Sequence, residues 1–295
     1  MPIPADLNVI VLAGGAGRRL QDVSRRFEGR PLPKQFCRYG RARSLLERTL
    51  ERVEPLTAKG SVGIVTQQSQ ARLAREQAAP YGAQLLAQPC DRGTGTAILW
   101  AALRVARTTP GGCVLVVPSD HAFASDEAFH QGVGSAVRTV TRGDFGAVLF
   151  GAVPDSPRAD YGWIVPGQPV TDGLRTVEGF VEKPSTEMAA DLFASGAWWN
   201  TMVVLARADA LIRLFADVRP FLAALLETAE TSYDPEREIQ AVFRSVSACD
   251  FSRDILSEAL DLVCCRWPTD AGWCDLGTPE RLQAWLDGNT INLSA

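Results

Sequence analysis

Lysine and histidine are scarce in this sequence of 295 residues. Among 30 lysines and arginines, the only lysines are Lys34, Lys59 and Lys183, and the only histidines are His121 and His130. Arginine and lysine differ in shape, hydration and donor geometry, so a lysine in an arginine-rich chain indicates a position that needs a compact ammonium charge. A Gly-x-Ser-x-Gly motif is also absent, so nothing indicates a serine nucleophile activated by a histidine base.

Long apolar runs and paired cysteine motifs are missing as well. No run reaches the ~18 apolar residues that span a bilayer, and residues 1–6 lack the basic and apolar regions of a signal peptide. The seven cysteines include no Cys-x-x-Cys pair, and Cys264 and Cys265 are adjacent. A disulfide framework or a zinc site is therefore not expected. These absences predict a cytoplasmic protein that does not bind membranes.

Charge is distributed unevenly. The net charge is −4, but residues 1–60 hold 12 Lys and Arg against 6 Asp and Glu. A basic segment in an acidic protein favours a local anion site over a nucleic-acid surface. The alternative is a solvated basic loop, which charge alone does not exclude.

Strands alternate with helices in the first half of the chain. Short apolar runs predict strands at residues 8–13, 62–66, 113–117 and 147–150. Helical spacing predicts helices at residues 44–53, with Ser44 as N-cap, 71–78, 94–106 and 126–140. This alternation predicts an α/β fold with a Rossmann-like, mixed but mainly parallel sheet flanked by helices.

The pattern becomes less regular after Val153. Residues 161–165 and 174–181 predict a hairpin around Gly167 and Gly173. Further strands are expected at residues 199–206 and 262–267, and helices at residues 208–215, 221–228 and 279–286. No repeat or linker is evident, so we expect one domain over residues 1–295 with two halves, about 1–153 and about 154–295.

A glycine-rich segment, residues 12–20 (LAGGAGRRL), directly follows the first predicted strand. Glycines let a backbone approach an anion and turn its N–H groups toward phosphate oxygens. The segment matches neither the Rossmann fingerprint Gly-x-Gly-x-x-Gly nor a P-loop, which needs Gly-Lys-Ser/Thr. It predicts a phosphate-binding loop, and the alternative is a simple turn.

The segments that follow carry a family resemblance. Residues 33–36 (PKQF) and 44–46 (SLL) come next, and this order resembles the opening of the nucleotide-sugar pyrophosphorylases. The PKQF form is similar to the guanylyltransferase branch, which makes GDP-mannose. Five later segments continue the resemblance in the family's order: residues 117–121 (VPSDH), 161–164 (YGWI), 180–184 (FVEKP), 199–200 (WN) and 272–277 (GWCDLG).

The resemblance implies a nucleotidyltransferase that transfers GMP from GTP to mannose-1-phosphate and releases pyrophosphate. The first half of the chain would bind the nucleotide and the second half the sugar phosphate. The sugar-phosphate nucleophile is already anionic, so the reaction needs no activating base. It needs a divalent metal, several cations and rigid positioning. Nucleic acid and membranes are not expected partners, and a homodimer stays open.

The same resemblance implies the residues of the site. Those for the nucleotide are Leu12, Ala13, Gly14, Gly15, Gly17, Arg19, Lys34 and Thr94. Those for the sugar phosphate are Gly162, Glu182, Lys183 and Asn200. Asp120 and Asp275 would hold Mg²⁺ or Mn²⁺, while Arg19, Lys34 and Asp120 would act in catalysis. Turn or capping aspartates and solvated surface charges are the alternatives, and His121 is expected to be structural.

Lys183 and Glu182 are neighbours in an extended segment, so backbone alternation would send their side chains to opposite sides. Pro184 is expected to restrict Lys183 to extended backbone geometry. Both side chains can face one sugar phosphate only if the strand ends or twists at this point. We expect it to do so because Pro184 follows.

Several segments depart from the family pattern. Arg18 stands where the family has threonine, and residues 21–31 look longer and more basic than usual. Residues 91–97 (DRGTGTA) match only partly, Thr201-Met202 replaces Ser-Gly, and residues 249–254 (CDFSRD) replace Ser-Ile-Asp-Tyr-Ala. These departures leave open another sugar phosphate or nucleotide, or a non-catalytic relative that binds nucleotide sugars. A glycosyltransferase of related fold usually carries Asp-x-Asp, which this chain lacks.

Overall fold

The computed structural model describes residues 6–58, 60–141, 145–171 and 173–288. The strands are β1 (Leu7–Leu12), β2 (Val62–Gln67), β3 (Gln84–Gln88), β4 (Cys113–Pro118), β5 (His121–Ala122), β6 (Ala147–Ala152), β7 (Gly162–Thr171), β8 (Leu174–Glu182), β9 (Trp198–Arg207), β10 (Leu262–Arg266) and β11 (Cys274–Asp275). The helices are α1 (Gln21–Glu28), α2 (Leu45–Val53), α3 (Ala71–Ala78), α4 (Gly93–Thr108), α5 (Asp126–Val140), α6 (Thr186–Ala194), α7 (Ala208–Val218), α8 (Pro220–Glu230), α9 (Pro235–Ser245) and α10 (Pro279–Leu286).

The main sheet has nine strands in the order β3-β2-β1-β4-β9-β6-β10-β8-β7, and β5 and β11 form a separate two-stranded ribbon. Strands β3, β2, β1 and β4 are parallel to one another, as are β6 and β10. Strand β9 runs antiparallel to β4 and β6, and β8 runs antiparallel to β7 and β10. Seven of these nine strands therefore run in the same direction and β8 and β9 run opposite to them, so the sheet is mixed and mainly parallel, which confirms the predicted fold class.

Helices cover both faces of the sheet. Successive residues of β1 show why, since Val9 and Val11 pack into one core and Ile10 into the other. A strand buried on both faces reads as a continuous apolar run, which β1 is. Helices α2, α3 and α5 contribute to the first core, and α4, α7, α8 and α9 to the second. Among the described residues, no helix is both long and apolar enough to cross a bilayer.

Local sequence signals account for several helix bounds. The predicted N-cap Ser44 is confirmed, because its hydroxyl accepts a hydrogen bond from the Glu47 N–H (3.1 Å) and the Glu47 carboxylate accepts one from the Ser44 N–H (2.7 Å). This capping box satisfies two helix-terminal donors. The predicted bounds of α3, α5 and α10 are also confirmed.

The predicted hairpin exists as β7 and β8, but one of its proposed turn glycines was wrong. Gly173 lies at the turn with a φ of +79°, whereas Gly167 lies within β7. Next to it, the Gln168 N–H donates to the Thr176 hydroxyl across the hairpin (2.9 Å). The structure also contains elements that the sequence analysis did not predict, namely α1, α6, α9, β3, β5 and β11.

Candidate active site

The glycine-rich segment begins where β1 ends, at the carboxyl edge of the parallel strands. Strands β1 and β4 pair in register to their last residues, Leu12 and Pro118. Beyond that pair, both the N–H and the hydroxyl of Ser119 donate to the Leu12 carbonyl, at 3.1 and 2.7 Å. The chain therefore leaves both strands side by side, at the edge where open α/β sheets bind ligands.

Carbonyl groups of this loop point inward and are tied down. The Ala13 carbonyl accepts from Gln35 Nε2 (3.0 Å) and from the Thr66 hydroxyl (2.9 Å), and the Gly15 carbonyl accepts from Gln35 Nε2 (2.8 Å). By contrast, the N–H groups of residues 14–17 donate to no described residue. A loop with bound carbonyls and unpaired N–H groups is a suitable site for an anion.

Gly17 permits the close approach of the Lys34 segment. Its φ is +59°, and a β-carbon there would lie 2.7 Å from the Lys34 backbone nitrogen and 3.1 Å from the Pro33 α-carbon. Any larger residue would push that backbone away. Lys34 opens a short 3₁₀ turn, Lys34–Phe36, that also holds the buried Gln35. The glycine loop and the Lys34 segment therefore form one packed unit.

The β5–β11 ribbon brings Asp275 to Asp120. Asp120 lies between β4 and β5, and in the ribbon Asp275 pairs with His121 while Cys274 pairs with Ala122. Two carboxylates far apart in sequence thus meet at the edge of the sheet beside the glycine loop. Because the two residues are far apart in sequence, their spacing could not predict this contact.

Lys34 lies between the two carboxylates. Its Nζ is 3.0 Å from Asp120 Oδ2 and 3.7 Å from Asp275 Oδ1, and all three side chains are 15–21% exposed. Burial disfavours the charged form of Lys34, but Asp120 and Asp275 outweigh it, so the pKa of Lys34 is raised. Burial likewise opposes ionisation of Asp120, yet the Lys34 ammonium holds the pKa of its carboxyl below the ordinary value.

His121 packs behind this cluster. The Trp273 indole N–H donates to His121 Nδ1 (3.2 Å), so Nδ1 carries no proton and Nε2 faces Asp275 Oδ1 at 3.7 Å and Asp120 Oδ1 at 3.9 Å. Burial is the largest influence and lowers the pKa of His121, although the two carboxylates partly offset it. A neutral ring held between an indole and two carboxylates supports the predicted structural role.

Arg281, on α10, holds Asp275 from the other side. One guanidinium nitrogen lies 3.1 Å from Asp275 Oδ2 and another 2.9 Å from Asp160 Oδ2. The guanidinium also lies 4.9 Å from the centre of the Tyr161 ring. Because Tyr161 directly precedes Gly162, Arg281 joins the carboxylate cluster to the predicted sugar site.

A cavity of about 270 Å³ opens at this cluster. Its lining consists of Gly17, Arg19, Leu20, Lys34, Asp275 and Gly277. Arg19 is exposed and forms no ion pair with any described residue, so its charge is available to a ligand. A larger cavity of about 660 Å³ lies beside β3, between α4 and α9, and contains none of the predicted site residues. We take the smaller cavity as the candidate site because predicted nucleotide-binding and metal-binding residues line it.

Three of the predicted sugar-site residues lie together where β7, β8 and β9 meet. A β-carbon on Gly162 would lie 2.5 Å from Glu182 Oε2 and 3.3 Å from the Asn200 β-carbon. Gly162 therefore leaves the space that these two polar side chains use. Asn200 is 6% exposed, and its Oδ1 accepts from the Met202 N–H (3.1 Å).

The expectation of extended geometry at Lys183 was wrong. Strand β8 does end at Glu182, as expected, but Lys183 has a φ of +49° and its N–H donates to the Tyr161 carbonyl (3.2 Å). The left-handed turn, and not an extended pre-proline residue, brings both side chains to one side. Lys183 Nζ accordingly pairs with Glu182 Oε1 while staying more than half exposed.

Thr94 lies in the first turn of α4, and its hydroxyl is already used within the protein. It accepts a hydrogen bond from the Phe251 N–H (2.9 Å).

The sequence analysis did not predict two glutamines that lie beside the glycine loop. The space beside Gly14 is bounded by Gln67 Nε2 and Gln88 Nε2, and the Gln88 Oε1 is buried without a described partner. Gln67 directly follows the strand predicted at residues 62–66, which was a signal for it, whereas Gln88 had no such signal because β3 was not predicted.

The donor set of the cluster fits a magnesium ion. Mg²⁺ prefers hard oxygen ligands and is commonly held by one or two carboxylates together with substrate phosphates. Asp120 and Asp275 supply two such carboxylates, and Lys34 Nζ lies within 4 Å of both. Within the described ranges, no group of three or more His, Cys, Asp or Glu side chains forms a ready-made metal cage.

The fold and the site define an α/β protein with a glycine loop suited to an anion at the carboxyl edge of its sheet, beside two carboxylates. Residues 8–288 match the Nucleotidyl transferase family. The chain belongs to this family. This confirms the predicted family of nucleotide-sugar pyrophosphorylases.

Individual relatives agree with this assignment. The chain is 32% identical over 285 residues to the xanthan biosynthesis protein XanB of Xanthomonas campestris pv. campestris, covering 93% of this chain and 58% of the relative. It is 32% identical over 282 residues to the mannose-1-phosphate guanylyltransferase ManC of Salmonella typhimurium, covering 91% of this chain and 57% of the relative. The chain thus spans less than two thirds of the length of these two relatives.

Solved structures show the same architecture. A crystal structure of mannose-1-phosphate geranyltransferase from Thermus thermophilus superposes with a TM-score of 0.82 at 27% identity, covering 98% of this chain and 80% of that one. The inositol-1-phosphate CTP transferase from T. maritima superposes with a TM-score of 0.63 at 11% identity, covering 99% of both chains. The second comparison shows the fold alone.

Proposed function

We propose that the chain is a sugar-1-phosphate nucleotidyltransferase that transfers GMP from GTP to mannose-1-phosphate. One observation carries the proposal: Lys34 and two carboxylates meet at a glycine loop whose N–H groups donate to no described residue. Such an arrangement suits a triphosphate and a divalent cation better than a neutral ligand. The membership of the family and the relatives that are mannose-1-phosphate guanylyltransferases support the choice of substrates.

In the proposed reaction, an oxygen of the sugar phosphate attacks the α-phosphorus of the nucleoside triphosphate. A new P–O bond forms, the bond from the α-phosphorus to the bridging oxygen breaks, and pyrophosphate leaves with that oxygen. No proton has to be removed from the nucleophile, which agrees with a site whose one histidine is held neutral behind the carboxylates. The barrier lies in bringing anions together in line.

Different residues of the chain would bind the triphosphate, the metal ion and the sugar phosphate. The glycine loop and Arg19 would hold the triphosphate, and Lys34 would neutralise charge that develops on it. Asp120 and Asp275 would hold Mg²⁺ or Mn²⁺, which when bound neutralises and orients the phosphates. Glu182 and Asn200 would bind sugar hydroxyls and Lys183 the sugar phosphate. We thus assign the nucleotide to residues 1–153 and the sugar phosphate to residues 154–295.

A pyrophosphate-release assay tests the proposal. The purified chain is incubated with Mg²⁺, each of GTP, ATP, UTP, CTP and dTTP, and either mannose-1-phosphate or glucose-1-phosphate. We expect release only when both substrates are present, with GTP preferred, because guanine offers an O6 acceptor and N1 and N2 donors for Gln88 and neighbouring backbone groups to read. Release with every triphosphate alike would contradict the guanine preference. No release with any pair would refute the nucleotidyltransferase assignment.

Lys183→Ala should impair use of the sugar phosphate and leave GTP binding unchanged. Loss of one charge-assisted hydrogen bond costs roughly 1.5–3 kcal/mol, which is about 10- to 150-fold in kcat/KM for mannose-1-phosphate. Lys183→Arg is the matched control, because it keeps the charge on this exposed turn. Steady-state kinetics against mannose-1-phosphate and calorimetric titration with GTP measure the two effects. A weaker GTP affinity with an unchanged mannose-1-phosphate KM would place Lys183 in the nucleotide half of the site.

A further inference from the structure

Met202 adopts a backbone conformation that side chains disfavour. Its φ is +57°, in the middle of β9 and two residues after Asn200. The left-handed region crowds the β-carbon of any residue except glycine, and such residues persist where the surrounding structure holds them and often where function needs them. The contacts of Met202 should therefore explain why a residue other than glycine occupies this position.

Those contacts form a short chain of hydrogen bonds. Asn200 Nδ2 donates to the Ser252 hydroxyl (3.4 Å), and that hydroxyl donates to Met202 Sδ (3.1 Å). The Met202 N–H in turn donates to Asn200 Oδ1 (3.1 Å). Ser252 is 4% exposed, so water does not replace these partners. Both ends of the Asn200 amide are thus held by the same two residues.

The donors and acceptors in this series of hydrogen bonds select one orientation of the Asn200 amide. The Met202 N–H can only donate, so it pairs with Oδ1 and excludes the flipped amide. Nδ2 therefore faces the Ser252 hydroxyl, which accepts from it and can use its single proton to donate to Met202 Sδ. One N–H and one lone pair of Asn200 remain for a ligand.

Main-chain groups of residues near Ser252 bind the start of α4 and not Asn200. The Phe251 N–H donates to the Thr94 hydroxyl, and the Cys249 carbonyl accepts from the Gly95 N–H (2.8 Å). These bonds hold the start of α4, in the half of the chain that we assign to the nucleotide. In this segment, the hydrogen bond that the described residues make to Asn200 comes from the Ser252 side chain. A substitution that changes this side chain alone leaves the nucleotide side in place.

We propose that Ser252 and Met202 are positioning residues that fix the Asn200 amide and thereby set the discrimination among hexose 1-phosphates that differ in one hydroxyl. The inference rests on the proposed function. The Asn200 β-carbon lies beside Gly162, next to the Glu182 carboxylate, so a sugar bound by these predicted residues would meet the two remaining hydrogen-bonding positions of the amide. An amide held in one orientation presents a donor and an acceptor at defined places, and epimeric hydroxyls meet them differently.

The test compares kcat/KM for mannose-1-phosphate and glucose-1-phosphate, with GTP and Mg²⁺, in three variants. Ser252→Ala removes the hydroxyl, and Met202→Leu keeps the bulk and the backbone strain but removes the sulfur acceptor. Ser257→Ala is the matched control, since the Ser257 hydroxyl donates to the Ser252 carbonyl and, among the described residues, forms no hydrogen bond with Asn200 or Met202. We expect the first two variants to reduce the preference between the sugars about tenfold, through the sugar-phosphate KM. The GTP KM and the control should stay unchanged.

A double variant, Ser252→Ala with Met202→Leu, should lose no more discrimination than Ser252→Ala alone, because both changes break one chain of bonds. An unchanged sugar preference in both single variants would overturn the assignment while the proposed function stands. Equal losses for both sugars and for GTP would show a purely structural role and would also overturn it. A wild-type chain that releases no pyrophosphate with any substrate pair would refute the proposed function, and the assignment with it.

Discussion

Asp120→Asn should lower the rate of nucleotidyl transfer at least ~100-fold, and chelation of the divalent metal should abolish transfer. Asparagine keeps the shape of the side chain but removes the charge that faces Lys34 at 3.0 Å. It also removes one of two carboxylates that we assign to the metal. The measurement is kcat for GTP and mannose-1-phosphate at saturating Mg²⁺, repeated in EDTA.

Asp22→Asn is the control for this experiment, because the Asp22 side chain is 97% exposed on α1 and its substitution changes the net charge equally. The control should keep the wild-type rate. The Asp120→Asn chain should melt within a few degrees of the wild type, which would separate lost chemistry from lost fold. Full turnover in EDTA, or a rate for Asp120→Asn within twofold of the wild type, contradicts the assignment.

Lys34→Met should change two measurements in opposite directions. The rate should fall about 100-fold or more, since the developing phosphate charge loses its nearest buried cation. The affinity for Mn²⁺ in the absence of nucleotide should rise about tenfold, because the ammonium that now lies between Asp120 and Asp275 competes with a metal for the same carboxylates. Mn²⁺ binding can be followed by electron paramagnetic resonance, independently of activity.

Arg26→Met is the control for the loss of a positive charge in the same basic segment, since Arg26 lies exposed on α1. It should alter neither measurement. A Lys34→Met chain that binds Mn²⁺ more weakly than the wild type would show that Lys34 orders the carboxylates and does not compete with the metal. Wild-type kinetics in the same variant would remove Lys34 from the triphosphate site.

The meeting of Asp120 with Asp275 could be expected from the family resemblance but not from physical signals in the sequence. It depends on the β5–β11 ribbon, in which each strand has two residues. Strands of that length show no alternation of apolar and polar residues, so periodicity cannot reveal them. The glycine loop was different, because a loop of small residues after a buried strand carries its own signal.

Two omitted helices illustrate different causes. Helix α1 contains Arg25 and Arg26 and buries only Ser24 completely, so its weak apolar face resembled a basic loop. Helix α9 had a clear signal that was overlooked: Asp234 is its N-cap, Pro235 stands at its first position, and two glutamates occupy its first turn. The first omission follows from the physics of a surface helix, and the second could have been avoided.

The backbone at Lys183 and Met202 could not be deduced from local preference. Both residues have positive φ, which statistics assign to glycine or asparagine. Tertiary contacts impose it, namely the Tyr161 carbonyl for Lys183 and the Asn200–Ser252 pair for Met202. Sequence reasoning therefore fails at the candidate sugar site, where the surrounding structure decides the conformation.

The β5–β11 ribbon also makes the carboxylate pair a long-range feature of the fold. Asp120 and Asp275 are 155 positions apart in the sequence, and two residue pairs of the ribbon join their segments. A contact between distant segments carries a larger loop-closure entropy than a contact between neighbouring elements. The two carboxylates therefore depend for their proximity on the packing of the whole fold, and substitutions in the ribbon far from the glycine loop should separate them.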